Sequence, residues 1–504
     1  MNGSMSSPLG LNISCNECTD IVNVMFEVAK NATVRAALIA DVNGTCLKLF
    51  PTKPHEAALC IEFGDQIVDK LLPWIDFQLE TLAWDARAVC SNFVPVCKNP
   101  CCSTDTIPEM LRLSLSGIGN ASNMAITWTT LKNTSTHTVQ WGPASQTQEE
   151  TPPRVSDLPF SSEGWSRTYT FGGWVGVVHT AVMYNLQPGT RYNYRVGDVK
   201  GGWSDIWTFS TIPSNAGTVA RPLRLVQIGD MGYANKSDDT VAAIIAEIDK
   251  GNVDMVLHVG DVSYADGDMP HWDLYLRKIE RIAARVPYMT NPGNHELWYN
   301  FTAYKTHFWT PASLHADHRM FYSFDFGGVH FTQMNTETIT DTANMDQQQV
   351  DWLASDLAGR DKKTKFTIAT GHRPFYCTNG GSKDKDCVLF TKVLRREAEQ
   401  VLIAHHVDLV ITAHMHGYER TWPVADGEPT AHNYALPSSP AYVVNGAGGN
   451  RESNNNPNAN QPWSAGNHTA SVGYARITIT GASLLFEFVV SANRSVFDSF
   501  IIQK

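Results

Sequence analysis

Five short segments of the sequence carry side chains that could bind metal ions. They are IGDMG with Asp230, GDVSYAD with Asp261 and Tyr264, NPGNHE with Asn294 and His295, ATGHRP with His372, and TAHMHGYER with His414 and His416. Each segment alone is weak evidence, because an aspartate after a strand is often a turn former or a helix cap, and a histidine is often packed or solvated. All five in this order, each beside a β-like run, favour a metal centre over coincidence.

The spacing of these residues suits two metal ions. Two ions held close together need one shared anionic ligand and separate terminal ligands, and Asp261 is the natural candidate for the shared one. His414 and His416 are two residues apart, so in an extended strand they would face the same side, whereas at a strand end each could meet a different ion. Asn294 offers a neutral oxygen that a divalent ion tolerates. The pattern therefore predicts a binuclear centre.

Tyr264 is the unusual member of this set. Its phenol has an ordinary pKa of about 10, so only a strongly polarising, hard cation would hold it as a phenolate. This requirement indicates Fe(III) beside a divalent partner. Tyr264 is thus the residue that predicts which metal is present.

Charge then predicts the substrate. Fe(III) and a divalent ion carry about five positive charges, and Asp230, Asp261 and Tyr264 remove about three, which leaves about +2 before any hydroxide binds. Such a pocket would attract a phosphate monoester although the chain has a net charge of -11. The ions would acidify a bound water into a hydroxide nucleophile. His295 is not needed as a ligand and could donate a proton to the leaving oxygen or hydrogen-bond the phosphate.

The elements that must position these residues read as an α/β domain. From Arg221 the sequence runs LRLVQIGD, then a helical stretch TVAAIIAEIDK, then VDMVLHVGD, with KFTIATGH and VDLVITAHMH further on. Carboxylates and histidines follow the strands, and open α/β sheets bind ligands at such strand ends. We expect residues 221–504 to form the catalytic domain.

A β-domain is predicted ahead of it. The polar segment KNPCCSTDTIPEM suggests a joint, and we place a linker at residues 99–106. Period-two runs such as LRLSLSG and NMAITWTT follow, so residues 107–213 read as an antiparallel sandwich. The segment LQPGTRYNYRV resembles the fibronectin-III corner, in which a tyrosine, here Tyr192, ties a loop to the sandwich.

Six cysteines occur in the first hundred residues, and the apolar residues Ile21, Val24, Met25 and Val28 have helical spacing. CNEC lacks the βαβ pattern of a redox motif, and a zinc site is no better supported. The cysteine spacing resembles the saposin-B module over residues 13–98. This resemblance implies an all-α domain with disulfides Cys15 to Cys97, Cys18 to Cys90 and Cys46 to Cys60, whereas six cysteines alone permit 15 pairings.

Four cysteines remain. Cys377 and Cys387 flank the loop that follows His372, and a bridge between them is favoured. Cys101 and Cys102 are adjacent and could pair with each other only under strain, so a bond elsewhere or to another chain stays open.

The candidate metal residues resemble those of the purple acid phosphatases, which are calcineurin-like metallophosphoesterases. The likeness covers residues 107–500 and includes all seven ligand types. It implies an αββα sandwich, phosphomonoester hydrolysis with an acid optimum, and His295 at the substrate. It also implies Fe(III) bound by Asp230, Tyr264, His416 and the bridging Asp261, and a second ion, Fe, Zn or Mn, bound by Asp261, Asn294, His372 and His414.

One departure from that family concerns the loop after His372. Plant-type members carry two adjacent histidines nine and ten residues after this ligand, and this chain has Gly381 and Ser382 there. Proton donation from that side and substrate preference therefore stay open. The complete fold class we expect is multidomain: an all-α saposin-like domain, an all-β fibronectin-III-like sandwich and the αββα catalytic domain.

The bulk sequence indicates a secreted or lysosome-like glycoprotein. No apolar run is long enough to span a membrane, the net charge argues against nucleic-acid binding, and the opening MNGSMSSPLGLNIS lacks a signal-peptide core, so we expect a form whose leader is gone. Ten cysteines suit an oxidising compartment. Ten N-x-S/T sequons are candidate glycosylation sites: Asn2, Asn12, Asn31, Asn43, Asn120, Asn133, Asn235, Asn300, Asn467 and Asn493.

Two other functions compete with the phosphatase. A saposin-like module before a metallophosphoesterase resembles the layout of acid sphingomyelinases, which hydrolyse lipid phosphodiesters, but their di-zinc sites do not use a tyrosine such as Tyr264. A lipid-binding or membrane-surface protein with an inert catalytic body is the non-enzymatic alternative, because saposin helices can expose apolar faces. The complete ligand set argues against an inert body.

Overall fold

A computed structural model describes residues 42–51, 99–100, 102, 104–117, 123–144, 153–315, 320–339, 344–378, 386–452, 454, 457 and 460–504. The chain divides into two compact units. The first comprises Met1–Cys101, Tyr169–Val175 and Ala265–His271, and the second comprises the remainder. Among the described residues, no helix has both the length and the apolar character needed to cross a bilayer.

The first unit has few described elements. Helix Val42–Leu49 buries Cys46, and Phe50 follows it in the core. The two-residue strands Asn99–Pro100 and Trp174–Val175 pair in parallel. The rest of residues 13–98 lies outside the described residues, and so do all the cysteines of the pairs predicted there except Cys46.

Two antiparallel sheets form a β-domain at the start of the second unit. One has the strand order Glu109–Leu115, Met124–Thr130, Val177–Met183, Trp165–Arg167. The other has the order Gly202–Trp203, Arg191–Asp198, Thr138–Pro143, Phe160–Glu163, and Trp207–Ser210 also pairs with Arg191–Asp198. The Tyr192 hydroxyl accepts a hydrogen bond from the Gln187 N–H at 2.8 Å, so the predicted tie between loop and strand is present.

The rest of the second unit is built on two larger sheets. The six-stranded sheet has the order Tyr288–Asn291, Met255–Val259, Leu223–Ile228, Gly473–Thr480, Ser483–Val490, Val496–Gln503. The seven-stranded sheet has the order Tyr322–Phe326, Val329–Gln333, Phe366–Thr370, Leu409–Thr412, Ala441–Asn445, Tyr418–Thr421, Ser464–Thr469. Buried side chains from both sheets, among them Leu257, Ile368 and Phe486, share one hydrophobic core.

Helices accompany these sheets. They are Asp238–Asp249, His271–Ala283, Trp298–His307, Gln347–Gly359, Thr391–Leu394 and Gln400–Ala404, the last two separated by a π-helical turn at Arg395–Glu399. Leu353 and Leu402 of these helices pack in one cluster with Ala369 and Val410 of the seven-stranded sheet, so a helical layer covers this sheet. In helix Gln347–Gly359 the buried residues Leu353 and Leu357 are four positions apart and therefore lie on one face. The layers match the αββα arrangement expected for the catalytic domain.

Three adjacent strands of the six-stranded sheet run parallel to one another, and so do four adjacent strands of the seven-stranded sheet. The candidate ligands follow the carboxyl ends of these parallel strands within two or three residues: Asp230 after Ile228, Asp261 after Val259, Asn294 after Asn291, His372 after Thr370 and His414 after Thr412. Parallel strands deliver their carboxyl ends to one edge of a sheet. The fold therefore brings five distant segments to one place.

His330 in the seven-stranded sheet predicts a pH-dependent part of the stability. Its ring nitrogens lie 2.9 Å from Asp325 Oδ1 and 3.1 Å from Asp356 Oδ2. Burial opposes the charged ring, but these hydrogen bonds prevail and raise the pKa of His330 from 6.5 to about 9. A raised pKa stabilises the fold fully below the unfolded value and loses that contribution as pH rises through the folded value, here from 6.5 to about 9.

We expect the His330→Gln variant to remove this pH dependence. The wild type should lose on the order of 2 kcal/mol more unfolding free energy than the variant between pH 6 and pH 9. Urea denaturation of both proteins at the two pH values measures the difference. Parallel losses in wild type and variant would contradict the assignment.

Candidate metal centre

The candidate ligands come together in two groups. In the first, the Tyr264 hydroxyl lies 2.9 Å from Asp230 Oδ1 and 2.9 Å from His416 Nε2. The hydroxyl donates to the Asp230 carboxylate, and His416 Nε2 is itself 3.3 Å from the same oxygen. Asp230 and Tyr264 are fully buried. Three different donor atoms therefore converge within hydrogen-bonding distance.

The second group contains Asp261, Asn294, His372 and His414. His372 Nε2 lies 3.0 Å from Asp261 Oδ2, 3.2 Å from Asn294 Oδ1 and 3.2 Å from His414 Nδ1. Single atoms of Asp261, His372 and His414 all lie within 4.8 Å of one another, as the ligands of one metal ion would. The family resemblance divides these residues in the same way, except that it shares Asp261 between both groups, and metal binding by these residues stays a prediction.

The contacts of His372 show that these residues fit a cation. Its Nδ1 lies 3.1 Å from the Val259 carbonyl, which can only accept, so Nδ1 carries a hydrogen and the Nε2 of a neutral ring presents a lone pair to Asp261 Oδ2. When the His372 ring is neutral, that oxygen has no hydrogen-bond partner among the described residues. Two facing lone pairs 3.0 Å apart require a proton or a metal ion between them. The donor set therefore suits a bound cation.

The pKa values of His372 and Asp261 follow from the same contacts. Burial opposes the charge of His372, but Asp261 and Asp230 raise the pKa of its imidazole to about 10, so a proton occupies the position. Burial likewise opposes ionisation of Asp261, yet His372 and His295 hold the pKa of its carboxyl well below the usual range. Metal binding at this position must therefore displace a proton from His372.

Tyr264 shows the opposite behaviour. Burial, and then the charges of Asp230 and Asp261, raise the pKa of its phenol well above the ordinary value. The phenol is therefore protonated unless a strongly polarising cation replaces its proton. This agrees with the reason why the sequence singled out Tyr264.

Backbone conformation aims several of these side chains. Asp230, Asp261, Tyr264 and His414 have φ angles of 56°, 48°, 55° and 68°, in the left-handed region that non-glycine residues rarely adopt. Each such residue costs on the order of 1 kcal/mol, and residues of this kind cluster at functional sites. Sharp turns directly after the strands are what allow side chains from both sheets to meet.

Two glycines keep these turns close together. A Cβ at Gly260 would stand 2.3 Å from His372 Nδ1, and one at Gly293 would stand 2.2 Å from Asp261 Oδ1. Both contacts are shorter than any side chain tolerates. The glycine before Asp261 and the glycine before Asn294 are therefore required by the close approach of neighbouring turns.

Glu296 joins two of the ligand turns, a role the sequence analysis missed. Its Oε1 accepts from the Val262 N–H and its Oε2 from the Gly293 N–H, both at 2.9 Å. Burial, and then the charge of Asp261, raise the pKa of Glu296 to about 8. The NPGNHE segment contained this residue, but nothing in the segment indicated which backbone groups it would bind.

His295 lies beside both groups. Its ring centroid is 4.1 Å from that of Tyr264, and its Nε2 is 3.7 Å from Asp261 Oδ2 and 3.8 Å from Glu452 Oε1. Its N–H donates to Asp261 Oδ1 at 2.8 Å, which fixes the backbone rather than the ring. The imidazole is thus placed near the centre without being needed in either group of donors.

The backbone after strand Ala441–Asn445 packs against a ligand turn. Residues 446–450, GAGGN, are all buried. The Asn450 N–H and side-chain amide both donate to the Asp230 carbonyl at 3.1 Å. Glu452 approaches His416 as well as His295. The glycines of this segment allow its backbone to pack closely against Asp230.

The cysteine and sequon predictions have several outcomes. A disulfide joins Cys377 to Cys387, the pairing favoured from sequence. Gly381 and Ser382 lie outside the described residues, as do Asn2, Asn12, Asn31, Asn120 and the side chain of Asn43. The other five sequon asparagines are exposed, namely Asn133, Asn235, Asn300, Asn467 and Asn493.

Comparison with known families agrees with this geometry. Residues 223–418 match the calcineurin-like phosphoesterase model, residues 108–211 the N-terminal domain of purple acid phosphatase, and residues 439–499 the C-terminal model of iron/zinc purple acid phosphatase-like proteins. Acid phosphatase type 7 of Homo sapiens is 32% identical over 396 residues, covering 74% of this chain and 85% of that protein. Purple acid phosphatase 21 of Arabidopsis thaliana is 31% identical over 354 residues, covering 68% and 72%.

Further relatives extend the comparison. The solved purple acid phosphatase from yellow lupin (Lupinus luteus) seeds is similar with a TM-score of 0.68 and 26% identity, covering 79% of this chain and 74% of that one. An Arabidopsis thaliana relative named "Probable inactive purple acid phosphatase 1" is 30% identical over 433 residues, covering 76% and 67%. Overall sequence similarity therefore does not by itself establish activity, and the positions of the donor atoms must be considered as well.

These matches correct the predicted fold class. The N-terminal domain shared with these proteins is the β-rich one matched at residues 108–211, not an all-α saposin-like domain, so the fold class that began with a saposin-like domain over residues 13–98 is wrong. Cysteine spacing and one amphipathic stretch misled the interpretation, because neither specifies a tertiary fold. The αββα catalytic domain is consistent with the matches.

Proposed function

The chain belongs to the purple acid phosphatase family, and from that premise we propose that it hydrolyses phosphate monoesters as an acid phosphatase with a binuclear metal centre. The observation that carries this proposal is the position of Tyr264, whose hydroxyl lies 2.9 Å from both Asp230 Oδ1 and His416 Nε2. Family membership alone does not establish that the protein is an active enzyme, since one relative is named as inactive. The assembled donor set supports an active enzyme.

We assign the two groups of donors to different ions. Fe(III) would be held by Asp230, Tyr264 and His416 together with the shared Asp261. This group contains two anionic donors besides the bridging carboxylate. A divalent ion, Fe, Zn or Mn, would be held by Asn294, His372 and His414, again with Asp261. The donors of the first three residues are neutral, which suits an ion of lower charge. Hard anionic oxygens favour the ion of higher charge.

The substrate would meet the centre beside His295. When bound, the two cations would lower the pKa of a water molecule and neutralise charge on the phosphoryl oxygens. His295 is buried with its Nε2 near Asp261 and Glu452, and from this position its ring could pass a proton to the leaving oxygen or hydrogen-bond the phosphate. Glu296 and the buried segment up to Asn450 hold the surrounding turns in place.

Hydrolysis of p-nitrophenyl phosphate at acidic pH, compared with sphingomyelin, tests the proposal on protein supplied with iron and zinc. We expect turnover of the monoester and none of the lipid diester. The sphingomyelinase alternative is not favoured, because the relatives reported above are acid phosphatases. Hydrolysis of sphingomyelin alone would overturn the proposal.

The His295→Asn variant separates proton transfer from metal binding. It should keep both metal ions, measured by emission spectrometry, and lose about 10²- to 10⁴-fold in kcat. The same variant with fewer than two ions per chain would instead place His295 among the metal ligands. Unchanged kcat would remove it from catalysis.

We also propose that the protein is glycosylated in the secretory pathway and is secreted or lysosomal. The five exposed sequon asparagines and the Cys377 to Cys387 disulfide support this environment. The expected lipid contact depended on the all-α domain and is not carried further.

A further inference from the structure

Each histidine of the TAHMH segment has a carboxylate behind it. His414 directs Nδ1 at His372, 3.2 Å from its Nε2, while its own Nε2 lies 3.0 Å from Asp386 Oδ1. His416 directs Nε2 at Tyr264, while its Nδ1 lies 3.7 Å from Glu452 Oε2. Histidine ligands of metals commonly donate their second ring N–H to a carboxylate, which fixes the tautomer and makes the ligand nitrogen more basic.

The contacts of His414 decide its tautomer. Its Nε2 is also 3.2 Å from Arg373 Nη1, but a guanidinium can only donate, and a carboxylate can only accept. One nitrogen cannot both accept from Arg373 and donate to Asp386. The Asp386 contact is the shorter, and Arg373 Nη1 has Asp386 Oδ1 as its own acceptor. Nε2 therefore carries the hydrogen, and the Nδ1 lone pair faces the centre.

Asp386 is itself held by a buried chain of charges. Arg373 donates through Nη1 to Asp386 and through Nε to Glu337 Oε2 at 2.9 Å. The Arg373 backbone N–H donates to Thr336 Oγ1 at 2.8 Å, which anchors the residue directly after His372. Asp386 also adjoins Cys387, whose disulfide to Cys377 ties this segment to the strand end that carries His372. The carboxylate thus has little freedom to leave His414.

We propose that Asp386 is a positioning residue for the divalent ion: by accepting the Nε2–H of His414 it orients that ring and strengthens its Nδ1 as a ligand. The inference rests on the proposed function, from which it takes the assignment of His414 to the divalent ion. Glu452 stands in the corresponding place behind His416. Its contact is 3.7 Å long, compared with 3.0 Å for Asp386, and its side chain is 36% exposed, compared with 25%, so water competes with it more strongly and its effect is smaller.

Chelator competition on the whole protein tests the proposal. Wild type, Asp386→Asn and the matched carboxylate-to-amide variant Glu452→Gln are loaded with iron and zinc and dialysed against increasing EDTA. Zinc and iron per chain are measured by emission spectrometry, and the phenolate-to-iron absorption is recorded. We expect Asp386→Asn to release zinc at about 10- to 100-fold lower EDTA, with its iron absorption intact, and Glu452→Gln to release zinc like the wild type.

Two results would overturn the proposal: release of zinc from Asp386→Asn at the wild-type EDTA concentration, or equal loss of iron and zinc. If Asp386→Asn lacks a cooperative melt, Glu337→Gln takes its place, because it leaves Asp386 present and weakens its hold through Arg373. A zinc release curve in Glu337→Gln that matches the wild type would then overturn the proposal. Failure of the proposed function is separate, because it would appear in the wild type itself, either as fewer than two ions per chain or as hydrolysis of sphingomyelin in place of the monoester.

Discussion

Asp261→Asn is expected to abolish binding of the divalent ion and to lower kcat/KM by at least about 10³-fold, because a shared ligand worth several kcal/mol is lost. Asp261 is 1% exposed, and its Oδ2 lies 3.0 Å from His372 Nε2. Asparagine would bring a neutral amide to a position where two cations need a common negative charge. Metal content by emission spectrometry and initial rates with p-nitrophenyl phosphate measure both effects.

The control for this variant lies at the other end of the same strand. Asp254 directly precedes Met255–Val259 and pairs with Arg221 at 2.6 Å, so Asp254→Asn removes an equal charge without touching the centre. Asp254→Asn should keep two ions and the wild-type rate. An Asp261→Asn protein with two ions and wild-type kcat/KM would show that Asp261 does not bridge.

Tyr264→Phe is expected to remove the visible absorption of the iron-loaded protein. Burial and the charge of Asp230 raise the pKa of this phenol, so it ionises only when a strongly polarising cation such as Fe(III) replaces its proton. The absorption therefore reports direct contact between phenolate and ferric iron. Visible spectra recorded at equal iron content, measured by emission spectrometry, test the assignment.

Tyr275→Phe provides a matched control for that experiment. Tyr275 is also fully buried and hydrogen-bonded, with its hydroxyl 2.9 Å from His258 Nδ1 and 2.8 Å from the Tyr288 hydroxyl, and it belongs to neither group of donors. Its variant should keep the full absorption. A Tyr264→Phe protein that holds iron and retains the absorption, or a colourless wild type with two zinc ions per chain, would contradict the ferric assignment.

The relatives make these two experiments decisive for function. One relative is named as inactive although it is 30% identical over 433 residues, so an overall match does not guarantee catalysis. What distinguishes an active site is whether the donor atoms meet, and here all seven candidate ligands contact at least one other candidate. Measurements of metal content and of the visible absorption test directly whether these donor atoms bind metal ions together.

The sequence by itself determined that the protein has a binuclear metal centre and which elements carry its candidate ligands. Residue type decides which ions a side chain can bind, and a β-like run before each segment already placed Asp230, Asp261 and His372 at strand ends. The cysteine spacing near the N-terminus did not determine the fold of that region, because it restricts which cysteines can pair without specifying a tertiary structure. That is why the all-α prediction was wrong.

Only the tertiary structure decided what surrounds the donors. Three carboxylates reach the centre from outside the strands, namely Glu296 of a 3-10 helix, Asp386 at the start of a π-helical turn, and Glu452. The same carboxylates would be ordinary surface groups in another fold. The left-handed backbone conformations of Asp261 and His414 likewise could not be predicted from the residue types. The packing of the two sheets maintains these strained conformations. Contacts between residues far apart in the chain depend on how the strands are ordered, and no local pattern records that order.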